Sequence, residues 1–462
     1  MSLAPHAEME LISERNPCLP SACDVVLKRR VMNWREDYQS KLVTAKEAVS
    51  KIKSGNRVVM AHAIAEPAAL IEAMVDNASN YIDVELVCMV NMSASRFCEP
   101  EHKESFRLNS LFVGPRVRGA VAEGRADYTP VFFHEIPELI KTELVPDVTL
   151  LQLSPPNEHG YCSFGVSVDY TSTAALECPG LNIAQVNKNM PRTMGSYIHV
   201  SELDYIVECD QPLIELPPPA IGEVEAAIGQ NIASLINDGD CLQLGIGSIP
   251  DAVLAGLKDK RDLGIYSEMF SDGVVDLVDE GVITNKRKNF RKGKMVATFL
   301  MGTKKLYNFV DDNPQVEMLP VNLVNDPRIA CQNDNLVAIN ACVQVDLQGQ
   351  VVSDSVGLRQ ISGVGGQVDF VRAANMSKGG RAIVAMPSTT KGTSKIVPFI
   401  HEGAAVTTSR NDVSYVVTEF GIADLKGKTL RERAKQLINI AHPDFREELK
   451  LEFEKRFHRS YP

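Results

Sequence analysis

The chain has 462 residues, of which 44% are hydrophobic and 23% are charged, and its formal net charge is −11. This composition is that of a globular protein with enough residues for two or three domains. The negative charge excludes general nucleic-acid binding, which needs a basic surface, but it allows a local basic site for a phosphorylated ligand.

The sequence shows no local signal for targeting, membrane insertion or metal binding. Residues 1–17 are mixed and acidic, unlike a signal or transit peptide. No stretch approaches about 18 uncharged apolar residues, so we expect no membrane span. The ten cysteines form no CxxC pair, and the nine histidines form no HExxH motif. These patterns favour a cytoplasmic protein with reduced thiols and no metal ion.

Short apolar runs alternate with helical patterns along most of the chain. Several runs are continuous, which is typical of strands buried on both faces. Strands that alternate with helices predict an α/β protein with mostly parallel sheets. The runs lie at residues 58–61, 84–89, 148–153, 204–207, 241–244, 382–386 and 413–418.

A proline-rich segment at residues 210–229 interrupts this alternation. Pro212 and the three prolines at 217–219 are incompatible with a central strand or a helix interior. We therefore predict a boundary near residue 215, between an N-terminal α/β domain (1–215) and a C-terminal α/β domain (216–462).

Each half begins with a related unit, at residues 54–75 and 238–259. Both units contain a turn glycine, a strand, a loop of small residues, a proline and a helix. This weak repeat predicts two similar open α/β domains that face each other, with the ligand site in the cleft between them.

Three polar residues of the N-terminal half are candidates for that cleft. His62 lies in the loop of the first unit, and Asn157 and His159 lie in SPPNEHGYCSFG. Each could line the cleft. A structural role, such as that of a buried and hydrogen-bonded histidine, is equally compatible with the sequence.

The loop LGIGSIP, residues 244–250, follows a strand and opens a helix. Its glycines would let the backbone approach a ligand, and a helix N-terminus offers free N–H groups to a phosphate. A tight turn without a ligand explains the pattern equally well. Ile249 and Pro250 occupy the place of the third glycine in a dinucleotide-binding motif.

Glu268 ends the apolar run 263–267 in IYSEMFSDG, before a helix predicted at 274–280. In parallel α/β sheets the ligand crevice lies at the carboxyl ends of the strands. An ionised carboxylate there could attack an acyl group and form a covalent intermediate. The alternative is an ordinary surface or structural glutamate.

Two further segments have a possible role in binding or catalysis. The basic segment NKRKNFRKGK, residues 285–294, could attract phosphates, but a solvated loop is the more common role. The glycine cluster ISGVGGQVDF, residues 361–370, exposes backbone amides that could hold an oxyanion. A turn before a helix at 368–374 is the more common explanation of such a cluster.

Together, long segments of the chain resemble the CoA-transferase family that includes acetyl-CoA hydrolase/transferases and 4-hydroxybutyrate CoA-transferase. The resemblance extends from about residue 30 to 457 and is closer to the 4-hydroxybutyrate or butyrate branch than to the acetyl-CoA hydrolase or succinyl branch. The matching segments are SPPNEHGYCSFGVSVDY, NKNMPRTMGSYIHVSELD, LGIGSIPDAV, IYSEMFSDG, SGVGGQVDFVRAA and residues 413–449.

The resemblance implies a CoA-transferase fold of two NagB/RpiA-like α/β halves, usually in a homodimer, with acyl-CoA and short-chain carboxylates as substrates. It implies that Glu268 is the catalytic glutamate, which forms a glutamyl-CoA thioester, and that Gly366 assists at the acyl oxygen. It implies no metal ion. The positions implied to contact coenzyme A are Gln243, Leu244, Gly245, Ile246, Gly247, Gly365 and Gly366.

Three other functions remain open from the sequence. An acyl-CoA hydrolase on the same scaffold would use water to resolve the thioester. A non-catalytic CoA-binding module could keep the glycine loops and would not need Glu268. A nicotinamide oxidoreductase would fit the α/β repeats, but the missing third glycine makes it the weakest alternative.

Overall fold

The computed structural model describes residues 33–462. The expectation that residues 1–17 carry no targeting signal therefore concerns a segment outside the described residues. Eight cysteines lie within the described part of the chain, and all eight are free thiols.

The N-terminal half of the described chain alternates strands and short helices. Its strands are β1 Arg57–Met60, β2 Val84–Cys88, β3 Phe106–Ser110, β4 Ala126–Tyr128, β5 Val148–Leu153, β6 Tyr161–Ser163, β7 Leu181–Val186, β8 Tyr197–His199 and β9 Tyr205–Glu208. Its helices are α1 Trp34–Ser40, α2 Ala45–Val49, α3 Ala68–Asp76, α4 Arg118–Ala122, α5 Ile136–Thr142 and α6 Thr171–Leu176.

The C-terminal half continues the alternation. Its strands are β10 Cys241–Gln243, β11 Gly264–Ile265, β12 Met295–Ala297, β13 Val316–Met318, β14 Leu336–Ala341, β15 Gln344–Asp346, β16 Val351–Val352, β17 Ser355–Val356, β18 Arg359–Gln360, β19 Arg381–Ala385, β20 Thr389–Thr390, β21 Thr393–Ser394, β22 Ile396–Val397, β23 Tyr415–Thr418 and β24 Gly421–Asp424. Its helices are α7 Glu223–Ala233, α8 Ser248–Ala255, α9 Asp272–Asp279, α10 Lys304–Val310, α11 Val321–Val324, α12 Pro327–Ala330, α13 Gln367–Met376, α14 Leu430–Asn439 and α15 Pro443–Phe457.

Each half contains one large sheet in which most strands are parallel. The N-terminal sheet has the order β4-β3-β2-β1-β5-β7-β9, and all its pairs are parallel. The C-terminal sheet has the order β11-β10-β14-β19-β23-β24, in which β24 alone is antiparallel. All six residues of β5 are buried, including Thr149 and Gln152, as expected for a strand that is covered on both faces. The predicted α/β class with mostly parallel sheets is confirmed.

The run before Glu268 is a shorter strand than the sequence suggests. β11 ends at Ile265 because the next two residues turn to another partner. Tyr266 bridges to Val296, and the Ser267 N–H donates to the Val296 carbonyl at 3.0 Å. Glu268 therefore lies on a loop beyond the strand, and α9 begins at Asp272, two residues before the predicted helix.

The two halves are joined by backbone hydrogen bonds as well as by apolar packing. The Val168 N–H donates to the Thr298 carbonyl at 2.9 Å, and the Leu300 N–H donates to the Val166 carbonyl at 2.8 Å. Aromatic residues of both halves, including Phe133 and Phe299, belong to one continuous core cluster. Residues 209–222 contain no helix or strand, in keeping with their prolines. The domain boundary near residue 215 stays a prediction.

Candidate active site

The Glu268 loop is joined to the glycine loop by a backbone bridge between Leu244 and Met269 and by the Ser267 hydroxyl. The Leu244 N–H donates to Ser267 Oγ at 3.1 Å, and the same oxygen lies 2.6 Å from the Met269 carbonyl, to which it donates. The Glu268 carbonyl accepts the Thr298 N–H at 2.9 Å, so its backbone is held from both sides. Because Ser267 is buried, these bonds are shielded from water and fix the position of the carboxylate.

The Glu268 carboxylate points to the second glycine cluster. Asn325, at the end of α11, donates its Nδ2–H to Glu268 Oε2 at 2.8 Å. Gly366 lies so close that a methyl group on it would overlap Glu268 Oε2 and Asn325 Nδ2. The structure therefore brings Glu268, Gly366 and Asn325 together.

The environment of Glu268 raises its pKa to about 7. Burial is the main cause, and the negative charges of Asp369 and Asp169 act in the same direction. The Asn325 amide and the Gly366 N–H lower the pKa and offset part of this rise. Part of the Glu268 residue is exposed, although its carboxyl group is surrounded by protein. A carboxyl group with this pKa is about half ionised at neutral pH.

The second glycine cluster passes between Glu268 and the N-terminal half. A methyl group on Gly363 would come within 3.0 Å of Phe112 Cα, in the loop after β3. A methyl group on Gly365 would lie 3.2 Å from the Phe112 ring and 4.0 Å from Glu268 Oε1. Gly365 also has a φ of +52°, a conformation that favours glycine. The close approach of the backbone to Glu268 thus explains this cluster better than a flexible turn does.

The first glycine loop has an internal part and an open part. The Gln243 amide bonds to Asn340, with Asn340 Nδ2 and Gln243 Oε1 3.0 Å apart, and it accepts the Ile339 N–H at 3.2 Å. The Leu244 N–H is already bonded to Ser267. Contacts of Gln243 and Leu244 with coenzyme A stay a prediction, and within the protein both residues support the loop.

The other three loop residues that the resemblance places against coenzyme A, Gly245, Ile246 and Gly247, face open space. Gly247 has a φ of +118° and no atom near the position of a Cβ, and Ile246 is 49% exposed. A methyl group on Gly245 would touch only Pro250, at 3.9 Å. Helix α8 begins at the next residue, Ser248, so its first N–H groups are directed toward this opening. The open part of the loop is suited to an anionic or extended ligand.

A cavity of about 310 Å³ adjoins this opening. Ile246, Gly247 and the prolines at 217–219 contribute to its lining. A larger cavity, of about 560 Å³, lies against Trp34 and Lys188 and is lined by none of the predicted site residues. The candidate site is therefore identified by its reactive residues and not by the size of the adjoining cavity.

His62 is a buried partner of a carboxylate. Its Nε2 lies 3.0 Å from Asp169 Oδ2, and neither side chain is exposed. Its ring stacks on Tyr170, with ring centroids 5.5 Å apart, and meets Phe299 edge-on at 5.1 Å. Burial alone would raise the pKa of Asp169. The charge of His62 and the nearby hydrogen-bond donors have a larger effect in the opposite direction, so the pKa of Asp169 is lowered. His62 is thus buried beside a carboxylate, and its ring is packed among aromatic side chains.

The other polar residues that the sequence offered as binding candidates make contacts within the protein. Asn157 Oδ1 accepts the N–H groups of His159 and Tyr161 at 3.0 Å each, so it shapes a turn. The His159 side chain is mostly exposed and pairs with the neighbouring Glu158. Lys288 of the basic segment is buried, and its Nζ donates to the Ile265 and Lys294 carbonyls at 2.8 and 2.7 Å. Lys288 thus supports the strand before Glu268, which neither interpretation of the basic segment foresaw.

Four residues that contribute to the site had no role in the sequence analysis: His134, Asp169, Asn325 and Asp369. Asp369 stands inside the glycine segment 361–370, three residues after Gly366. Asp169 lies in SPPNEHGYCSFGVSVDY, one of the segments that carry the family resemblance, whereas His134 and Asn325 lie in segments with no motif of their own.

Within residues 33–462, no group of three or more His, Cys, Asp or Glu side chains is placed to hold a metal ion. Among the helices of this part of the chain, none is both long and apolar enough to cross a bilayer.

Comparison with known proteins defines the class. The N-terminal domain of acetyl-CoA hydrolase/transferase matches residues 26–216, and the C-terminal domain of the same family matches residues 302–453. The chain belongs to the acetyl-CoA hydrolase/transferase family.

The similar proteins include one that is named a CoA-transferase and one that is named a hydrolase. The chain is 62% identical to 4-hydroxybutyrate coenzyme A transferase of Clostridium kluyveri, over 92% of this chain and 100% of that protein. The solved structure of RipA from Yersinia pestis is 41% identical, with a TM-score of 0.88 over 92% of this chain and 100% of that one. Acetyl-CoA hydrolase of Kluyveromyces lactis is more distant, at 32% identity over 44% of this chain and 38% of that protein.

Proposed function

We propose that this protein is a CoA-transferase that moves CoA between an acyl-CoA and a short-chain carboxylate through a thioester on Glu268. The observation that carries the proposal is the contact of the Glu268 carboxylate with Asn325 and the Gly366 backbone. The similarity to an enzyme named for 4-hydroxybutyrate supports 4-hydroxybutyrate as an acid. Butyrate and acetate are supported by a relative that is 38% identical over 92% of this chain, the butyryl-CoA:acetate CoA-transferase of Anaerostipes caccae.

The proposed reaction begins with ionised Glu268. Its carboxylate attacks the acyl-CoA carbonyl, the C–S bond breaks, and an acyl-glutamyl anhydride and a CoA thiolate result. The thiolate attacks the glutamyl carbonyl, the acyl carboxylate leaves, and Glu268 carries CoA as a thioester. An acceptor carboxylate then enters, and the same steps run in reverse. One thioester replaces another, so the cycle needs neither ATP nor a redox partner.

Each step passes through a tetrahedral oxyanion. The Gly366 backbone lies beside the Glu268 carboxylate and is suited to stabilise this charge. A preorganised donor of this kind is worth roughly 3 kcal/mol in the transition state. The elevated pKa of Glu268 also makes its carboxylate more basic than a solvated one, which favours nucleophilic attack.

We propose that coenzyme A is held along the open part of the first glycine loop. Gly245, Ile246 and Gly247 leave the backbone accessible, and the start of α8 attracts a phosphate. Gly365 and Gly366 would then lie near the thioester end of the ligand. The homodimer expected from the family resemblance stays a prediction.

A hydrolase on the same scaffold is the nearest alternative. We expect the protein, given butyryl-CoA and acetate, to form acetyl-CoA while the total thioester concentration stays constant. Without acetate, free CoA should be released at least about 100-fold more slowly than acetyl-CoA forms in the presence of acetate, because a site that excludes water protects the thioester. Chromatography of the CoA species with a thiol reagent measures both rates. Equal release of CoA with and without acetate would identify a hydrolase instead.

A further inference from the structure

The two carboxylate oxygens of Glu268 have different surroundings. Oε2 accepts the Asn325 Nδ2–H at 2.8 Å and lies where a methyl group on Gly366 would stand. Within residues 33–462, no side chain donates a hydrogen bond to Oε1. A donor that stabilises the negative charge on one oxygen makes that oxygen a weaker nucleophile. Oε1 is therefore the oxygen better placed to attack an acyl group.

Phe112 lies on the Oε1 side of the carboxylate. The position of a Cβ on Gly365 is 3.2 Å from Phe112 Cε2 and 4.0 Å from Glu268 Oε1, so the ring and this oxygen are close to one point. Phe112 comes from the N-terminal half, two residues after the end of β3. The first glycine loop, by contrast, reaches the Glu268 loop within the C-terminal half, through the bridge between Leu244 and Met269. Each half thus contributes one wall of the site.

The Phe112 ring has little freedom to move aside. A methyl group on Gly363 would lie 3.0 Å from Phe112 Cα and 3.1 Å from its Cδ2, so the glycine backbone packs directly against the residue. The preceding Leu111 is buried, and its N–H donates to the Cys88 carbonyl at 2.9 Å, at the end of β2. Phe112 itself packs against the continuous core cluster. A ring held in this way forms a fixed wall, because packed interiors yield little.

The strand ends beside Phe112 are apolar as well. β2 and β4 flank β3 in the sheet, and they are followed by Val90 and Val131, which are partly buried against the same core cluster. Val90 Cγ1 lies 3.8 Å from the position of a Cβ on Gly114, two residues after Phe112. Because these three strands are parallel, their carboxyl ends lie at one edge of the sheet. This edge suits a short hydrocarbon chain better than a phosphate.

We propose that Phe112 is a specificity-determining residue, whose ring forms the end wall for the acyl chain of the substrate. The inference rests on the proposed function and deepens it. In the anhydride formed through Oε1, the acyl chain extends toward Phe112 and the N-terminal half, while the CoA thiolate leaves and returns along the first glycine loop. The ring then limits the chain to about the length of butyrate, the acid in the names of two relatives.

The accepted chain length should therefore depend on the size of residue 112. One methylene group in a hydrophobic pocket changes kcat/KM by about 10- to 200-fold. In the wild type, we expect kcat/KM for hexanoyl-CoA to be about 10²-fold or more below that for the shorter butyryl-CoA. In Phe112→Ala, the ratio of hexanoyl-CoA to butyryl-CoA should rise at least about tenfold, because the space of the ring becomes available. Phe112→Leu should give an intermediate ratio.

The experiment offers butyryl-CoA and hexanoyl-CoA in one mixture with acetate, and chromatography follows the loss of each donor and the gain of acetyl-CoA. The relative rates give the ratio of the two kcat/KM values, which does not depend on the fraction of folded enzyme. The leucine variant keeps an apolar side chain against Gly363, so the ratio can be measured even if the alanine variant is inactive. The control is Phe399→Ala, because Phe399 is 57% exposed and its ring centroid lies 5.0 Å from Arg456 Cζ in α15.

A higher ratio of hexanoyl-CoA to butyryl-CoA in both Phe112 variants, largest in the alanine variant and unchanged in Phe399→Ala, would support the inference. A ratio within about twofold of the wild type in the Phe112 variants, or a wild type that uses both donors equally well, would overturn it. Transfer from butyryl-CoA would in that case still support the proposed function. A wild type that forms no acetyl-CoA from either donor would overturn the proposed function, and the inference with it.

Discussion

Glu268→Gln is expected to lower the rate of CoA transfer by about 10⁴-fold or more, because an amide cannot act as the carboxylate nucleophile. Glutamine has nearly the same shape, and its side-chain carbonyl can still accept the Asn325 N–H that Glu268 Oε2 accepts at 2.8 Å. The fold should therefore survive. Glu268→Asp should also lose most activity, since it withdraws the carboxylate by one methylene from Asn325 and Gly366.

The measurement is the initial rate of acetyl-CoA formation from butyryl-CoA and acetate, with circular dichroism to verify the fold. Glu280→Gln is a matched control, because Glu280 caps the end of α9 at the surface and pairs with Lys258 at 2.7 Å. Turnover of the Glu268→Gln variant similar to that of the wild type would refute the proposed covalent mechanism.

Gly366→Ala is expected to reduce transfer by about 10²–10³-fold without unfolding the protein. The added methyl group would overlap Glu268 Oε2 and Asn325 Nδ2, so the carboxylate must move or lose its hydrogen bond. A displacement of this size at reacting atoms costs about 10²-fold, and a lost oxyanion donor costs a similar factor. Gly366 has a φ of −92°, which alanine adopts easily, so backbone strain is not the cause.

The corresponding measurement compares kcat and KM of Gly366→Ala with those of Gly119→Ala. Gly119 lies in α4 with no atom within 4 Å of the position of a Cβ, so its substitution should leave both constants unchanged. The main loss in Gly366→Ala should be in kcat, because the interaction is strongest in the transition state. A kcat within about threefold of the wild type would show that Gly366 is not at the reacting centre.

Local patterns account for the features that the sequence predicted well. The strand at Val148–Leu153 has four apolar residues in six and is flanked by Pro146 and Pro155, so its limits were predictable to the residue. Glu268 and Gly366 stand in short segments whose glycines and turn residues are conspicuous. By contrast, β11 ended early because Ser267 bonds to Val296, a residue of another strand that no local pattern reveals.

Long-range contacts account for what the sequence could not predict. Asn325 reaches Glu268 across 57 residues, and His134 reaches Asp369 across 235 residues, from the other half of the chain. A lone asparagine or histidine in such a segment has no periodicity or spacing that marks a site. Lys288 similarly resembled a surface charge, yet the fold buries it beneath the strand before Glu268.

The central claim is that Glu268 carries CoA as a covalent thioester, and the most direct test is the intact mass of the protein after incubation with butyryl-CoA and no acceptor acid. We expect a mass gain of one CoA less one water, located by peptide mapping on the peptide that contains Glu268 and removed by added acetate with formation of acetyl-CoA. An unmodified protein that nevertheless binds CoA and exchanges no acyl groups would contradict the mechanism and identify a CoA-binding protein without transferase activity.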